Sequence, residues 1–135
     1  MANRDNWLDS VPIFSGLSPD VIQTLAKNAH YISFLPGDTV FNEGDKGDSI
    51  YILVSGVVNV FKLDAQGNSM HIAELRPGSF IGEHALSTVA IRTATIRAKT
   101  YITLLRLTTE EVIELSLASP ELAERLQDVE FGQYG

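Results

Sequence analysis

Cysteine is absent from the chain. Thiolate catalysis, a disulfide framework and cysteine-ligated zinc are excluded with it, and the lack fits an intracellular protein. Basic residues are few: 10 Lys and Arg stand against 17 Asp and Glu, for a formal net charge of -7 at pH 7. They are not clustered, so a nucleic-acid backbone would be repelled and no nucleic-acid partner is expected. No apolar run approaches the roughly 18 residues needed to span a bilayer, so no membrane association by the chain itself is expected. The opening Met1-Ala2-Asn3-Arg4-Asp5 lacks the apolar core of a secretory signal. These absences point to the cytoplasm, or to the cytoplasmic part of something larger. The 135 residues, 44% hydrophobic and 20% charged, suit one soluble domain that buries its own core.

The periodicity changes twice along the chain. Ser18-Pro19 supplies an N-cap and a proline at the first helical position, and Val21, Ile22, Leu25, Ala26 and Ala29 follow as one apolar stripe. Before it, Trp7-Leu8 and Val11-Pro12-Ile13-Phe14 read as an amphipathic lead-in docked by its aromatics. From Tyr31 the pattern is that of strands: 31–35, 39–41, 50–54, 57–63, 70–75, 94–98 and 101–107. Pro36-Gly37 and Pro77-Gly78 are turn pairs, and Gly44, Gly47, Gly56 and Gly67 punctuate the rest. Short strands at this rhythm predict a barrel or jelly roll. Helix returns at Thr108-Thr109-Glu110-Glu111, which has capping-box spacing, and again at Ser119-Pro120 ahead of Leu122, Leu126 and Val129.

The chemistry concentrates in Gly78-Ser79-Phe80-Ile81-Gly82-Glu83-His84-Ala85-Leu86 and the following Arg92-Thr93-Ala94-Thr95. Glycine lets a backbone approach a ligand closely. A short turn from Glu83 to Leu86 can aim free N–H groups at an anion. Arg92 adds a charged fork suited to phosphate oxygens and is expected to line a cavity rather than a core. A carboxylate beside it, Glu83, suits sugar hydroxyls or orients the guanidinium. Anion donors, one arginine and one hydroxyl acceptor describe a pocket for a phosphorylated sugar.

This stretch resembles the phosphate-binding cassette of the cyclic-nucleotide-binding domain family: phenylalanine-glycine-glutamate, an alanine-leucine pair, then arginine, a small residue and alanine. Phe34-Leu35-Pro36-Gly37-Asp38, Phe41-Asn42-Glu43-Gly44-Asp45 and Tyr51-Ile52-Leu53-Val54-Ser55-Gly56-Val57-Val58 are similar to the family's opening strands and central hairpin. The resemblance implies a mainly β protein, a jelly-roll barrel of the double-stranded β-helix kind, with one N-terminal and two C-terminal helices. It implies a single domain over 1–135: a helical segment 1–30, a barrel 31–107 with the cassette at 78–95, and helices 108–135. Its ligand would be cAMP or cGMP, cAMP slightly favoured, reported by movement of the flanking helices to an effector domain or partner protein. Glu83 and Gly82 would meet the ribose. Arg92, Thr93 and the N–H groups of Ala85 and Leu86 would meet the phosphate. Val60, Ala73 and Leu75 would wall the base, and Phe131 to Tyr134 would supply the lid.

Two departures stand out. Val89-Ala90-Ile91 replaces the glycine and proline that often precede the arginine, and His84 stands where an aliphatic residue is usual. Competing readings ask for different residues. A cupin-type enzyme needs a close histidine pair or a nucleophile with its base; His71 lies 13 positions from His84, and no such constellation occurs. No catalytic residue, metal or cofactor is therefore expected. A degenerate member acting only in protein interaction would have lost Glu83 or Arg92, and both are present. A transcription-factor version is disfavoured by the charge and by the few residues after Tyr134.

Overall fold

The computed structural model describes residues 14–28, 30–82 and 91–128. The lead-in residues 7–13, Ala29 and Val129 lie outside them. Helix α1 (Pro19–Asn28) starts where Ser18 predicts, with the Val21 N–H donating to Ser18 Oγ at 3.4 Å. Eight strands follow: β1 (His30–Phe34), β2 (Thr39–Phe41), β3 (Ser49–Ser55), β4 (Val58–Leu63), β5 (Ser69–Leu75), β6 (Phe80–Ile81), β7 (Thr95–Ala98) and β8 (Ile102–Thr108). Helices α2 (Thr109–Ala118) and α3 (Pro120–Asp128) close the described chain.

The strands form two antiparallel four-stranded sheets, in the orders β1-β8-β3-β6 and β2-β7-β4-β5. Strand period 2 sends alternate side chains to two separate cores. Between the sheets lie Phe41, Tyr51, Leu53, Val58, Val60, Ile81, Ala94, Ile96, Ala98, Ile102 and Leu104. On the other face of the first sheet, Ile50, Ile52, Leu105 and Leu107 meet the helices through Leu25, Val112, Leu115 and Leu122. β3 and β8 are thus apolar on both faces, which makes the first sheet the shared wall of both cores. Phe14 and Leu17 are buried in the helical core, so this end of the lead-in is docked.

The strand boundaries shift by a residue or so from expectation, for local reasons. β1 stops before Leu35, whose N–H donates to the Asp38 carboxylate at 2.9 Å instead of continuing a ladder. β6 is the strand that periodicity missed: it is two residues long and pairs Ile81 with Tyr51 and Phe80 with Ile52. Two turns share one design. In Leu35-Pro36-Gly37-Asp38 and Asn42-Glu43-Gly44-Asp45 the aspartate carboxylate accepts from the first residue's N–H, 2.9 Å in both. Glycine stands third, at φ 90° and 93°, where a side chain would be strained.

The capping box at α2 forms in full. Glu111 N–H donates to Thr108 Oγ1 at 3.1 Å, and Thr108 N–H donates to Glu111 Oε1 at 2.9 Å. Thr108→Ala is expected to lower stability by about 1 kcal/mol, the usual scale for a lost N-cap, read as a shifted denaturant midpoint with unchanged slope. An unchanged midpoint would show that α2 is held by packing alone.

Candidate ligand-binding site

The site is built where the loop between β2 and β3 meets the segment entering β7. Arg92 is clasped there through its backbone: its N–H donates to Asp45 O and its carbonyl accepts from Gly44 N–H, both at 2.8 Å. The glycine turn of Asn42 to Asp45 therefore fixes where the arginine leaves the main chain. The side chain runs inward and is 3% exposed, as buried as core leucines. Its Nη2 donates to Ser49 O at 2.8 Å, and Nη1 reaches Gly82 O at 3.4 Å. The guanidinium carbon sits 4.2 Å over the Phe41 ring and 5.7 Å from the Tyr51 ring.

No carboxylate among the described residues forms an ion pair with this cation. Burial lowers the Arg92 pKa, while Tyr51, Asp48 and Asp45 oppose that shift electrostatically. An arginine stays protonated regardless, so a full positive charge lies buried against two carbonyls and two rings. Arg92 Nε and the Oγ1 of its neighbour Thr93 are buried with no hydrogen-bond partner among the described residues. An unpartnered N–H on a buried cation is what an anionic oxygen would satisfy.

Gly82 has φ 87°, and a Cβ there would collide with the Arg92 guanidinium and stand 3.3 Å from Ser49 O. Its missing side chain thus makes room for the arginine, a neighbour that a reading of glycine as ligand clearance does not supply. Val60 and Ala73 are direct cross-strand partners on β4 and β5, and Leu75 lies opposite Val58. Val60 is fully buried, and Ala73 and Leu75 pack against the same inter-sheet core as Phe41 and Tyr51. Val60, Ala73 and Leu75 therefore share one core with the two rings that Arg92 contacts, and Gly82 lies against the guanidinium. Glu83, His84, Ala85, Leu86, Phe131 and Tyr134 lie outside the described residues. Sequence reasoning missed Phe41, Tyr51 and Ser49 as partners of the arginine. Aromatic residues on inward positions of two different strands were visible in the sequence, but they read only as core.

Among the described residues no group of three or more His, Asp or Glu is placed to hold a metal ion. No helix there is long and apolar enough to cross a membrane.

Two antiparallel sheets flanked by helices, with an arginine buried against the core between the sheets, define a small β jelly roll. The chain belongs to the cyclic nucleotide-binding domain family, whose model matches residues 31–118. Members of this family are ligand-binding regulatory domains. The cAMP-dependent protein kinase regulatory subunit of Blastocladiella emersonii is 37% identical over 93 residues, 69% of this chain and 23% of that protein. The potassium/sodium hyperpolarization-activated cyclic nucleotide-gated channel 4 of Homo sapiens is 31% identical over 120 residues, 89% of this chain and 10% of the channel. The crystal structure of Thermus thermophilus catabolite activator protein superposes with a TM-score of 0.80 at 29% identity, covering 87% of this chain and 55% of that one. The chain thus spans under a quarter of the length of these two curated relatives.

Proposed function

We propose that residues 1–135 form one regulatory module that captures cAMP, or cGMP slightly less well, and reports the capture through its flanking helices to an effector domain or partner protein. One observation carries the reading: a buried arginine without a described carboxylate partner, whose Nε and the adjacent Thr93 hydroxyl both lack an acceptor or donor. A cyclic phosphate supplies the missing acceptors. Arg92, Thr93 and the N–H groups of Ala85 and Leu86 would take the phosphate, Glu83 and Gly82 the ribose, and Val60, Ala73 and Leu75 the base, with Phe131 and Tyr134 as lid. The apolar wall suits a purine and carries nothing that reacts, so the role is binding without catalysis. The net charge and the cysteine-free composition support a small-molecule partner rather than nucleic acid, in the cytoplasm.

A short physical route supports transmission to the helices. Ser49 O holds the arginine, and Ser49 pairs in register with Thr108, the N-cap of α2. The next residue, Thr109, donates its N–H to Asp48 O at 2.9 Å. A ligand that pulls on Arg92 would load the start of α2, provided that it binds two helix arrangements with different affinity.

Titration calorimetry with both nucleotides tests the proposal. The wall offers no hydrogen-bonding group to choose between bases, so both are expected to bind within about a factor of ten, the reach of one neutral hydrogen bond. Thr93→Ala is expected to weaken cGMP more than cAMP, because a guanine amino group over the phosphate is what its hydroxyl could reward. A preference above roughly a hundredfold, or equal losses for both, would remove Thr93 as the selector. Absence of binding by either nucleotide would remove the function itself.

A further inference from the structure

We infer that Phe41 and Tyr51 are positioning residues for Arg92: an aromatic cradle that keeps the guanidinium charged, buried and edge-on to an incoming phosphate before any ligand arrives. The inference rests on the phosphate-binding reading above and names what prepares that site.

The two rings come from different sheets, Phe41 from β2 and Tyr51 from β3, and stand 5.9 Å apart at an interplanar angle of 33°. Both belong to the inter-sheet core and are themselves buried. The guanidinium lies over Phe41 at 4.2 Å and within reach of Tyr51 at 5.7 Å, inside the range where a ring face attracts a cation. A guanidinium needs two kinds of neighbour. Its flat faces need polarisable or apolar cover, and its N–H edges need in-plane acceptors. The rings offer faces, while Ser49 O and Gly82 O take one N–H each at the edge. The Nε–H edge remains without a described acceptor.

This arrangement differs in consequence from an ion pair. A carboxylate partner would occupy the edge that a phosphate needs and would have to be displaced on binding. Ring faces stabilise the charge from a direction that no phosphate oxygen approaches, so no described group has to leave. They also remove rotamers: the side chain lies against two adjoining rings, so less freedom is lost when the ligand binds. Each wall is set by a strand and buried in the inter-sheet core, and the backbone clasp of Gly44 and Asp45 follows shortly after Phe41 in sequence.

The test separates ring electronics from packing. Affinity for cAMP and cGMP is measured by calorimetry on Phe41→Leu and Tyr51→Leu, which keep an apolar side chain but lose the face, and on Phe41→Tyr and Tyr51→Phe, which keep the face. Leucine at either position is expected to weaken binding about three- to thirtyfold, more at Phe41, whose ring is nearer, and the conservative variants are expected to restore it. Replacing Phe41 with phenylalanines of increasing fluorination keeps shape while draining the face, so affinity should fall stepwise with fluorine number even if the leucine variants fold poorly. In an Arg92→Met background these ring changes should no longer matter. If Arg92→Met abolishes binding but Phe41→Leu and fluorination leave affinity unchanged, the cradle is overturned and the phosphate site stands. If Arg92→Met leaves affinity unchanged, the phosphate reading falls and the cradle's role falls with it.

Discussion

Arg92→Ala is expected to weaken cyclic-nucleotide binding by about 2–4 kcal/mol, roughly thirty- to a thousandfold, the scale for removing one partner of a buried charged contact. The companion variant Arg92→Met is expected to bind just as poorly while leaving the unliganded protein as stable as wild type or more so. The reason lies in what surrounds the guanidinium. It is 3% exposed, held by two carbonyls and two rings, and among the described residues no carboxylate balances it. Replacing an incompletely compensated buried charge with an apolar side chain of similar length is commonly neutral or stabilising. Alanine, by contrast, leaves a void beside Phe41 and Tyr51 and should cost stability as other large-to-small core changes do. Denaturation and calorimetry on both variants give the comparison. A methionine variant that loses stability as heavily as the alanine variant would make Arg92 a structural bridge between Ser49 and Gly82. Unchanged affinity in both would dismiss it as the phosphate ligand.

How far these relations were legible in the sequence depends on their range. The caps were legible because an N-cap is read within four residues: Ser18, Thr108 and Ser119 each accept from the N–H that the spacing predicts. Most strands were legible because period 2 and a glycine turn are also local. β6 was not, since two residues carry no period, and Phe80-Ile81 becomes a strand only by pairing with Tyr51 and Ile52 nearly thirty positions earlier. Arg92 was legible as a cation of the right kind in the right place. Its burial was not, because that is decided by an aromatic from each of two sheets and by a carbonyl 43 positions away in sequence. Nothing local marks Phe41 and Tyr51 as anything but core. Gly82 was legible as a place of close approach, with the approaching atoms identified wrongly in kind: the first neighbour is the protein's own guanidinium.

Gly82 is also where the second large effect is expected. Gly82→Ala combines two separable penalties. At φ 87° any Cβ is strained, and here it would also collide with the Arg92 guanidinium and press on Ser49 O. Gly37 provides the control, because it has nearly the same φ, 90°, with nothing within 4 Å of an added Cβ. Gly37→Ala is therefore expected to lose about 1–2 kcal/mol of stability from backbone strain alone and to leave nucleotide affinity intact. Gly82→Ala is expected to lose more, up to about 3 kcal/mol, and to weaken binding at least about tenfold, because the guanidinium must leave the position set by Ser49 O and the rings. The displacement has a direction. Ser49 and the aromatic walls are buried, whereas the Nε edge has no described partner, so the arginine would be driven toward the space that the phosphate needs. Removing the obstruction should undo part of the damage: Gly82→Ala combined with Arg92→Met is expected to recover stability relative to Gly82→Ala alone, though not affinity. Denaturant midpoints of the four proteins read this coupling as a double-mutant cycle. Additive losses would mean that the two residues do not touch, and would contradict the geometry from which the site is built.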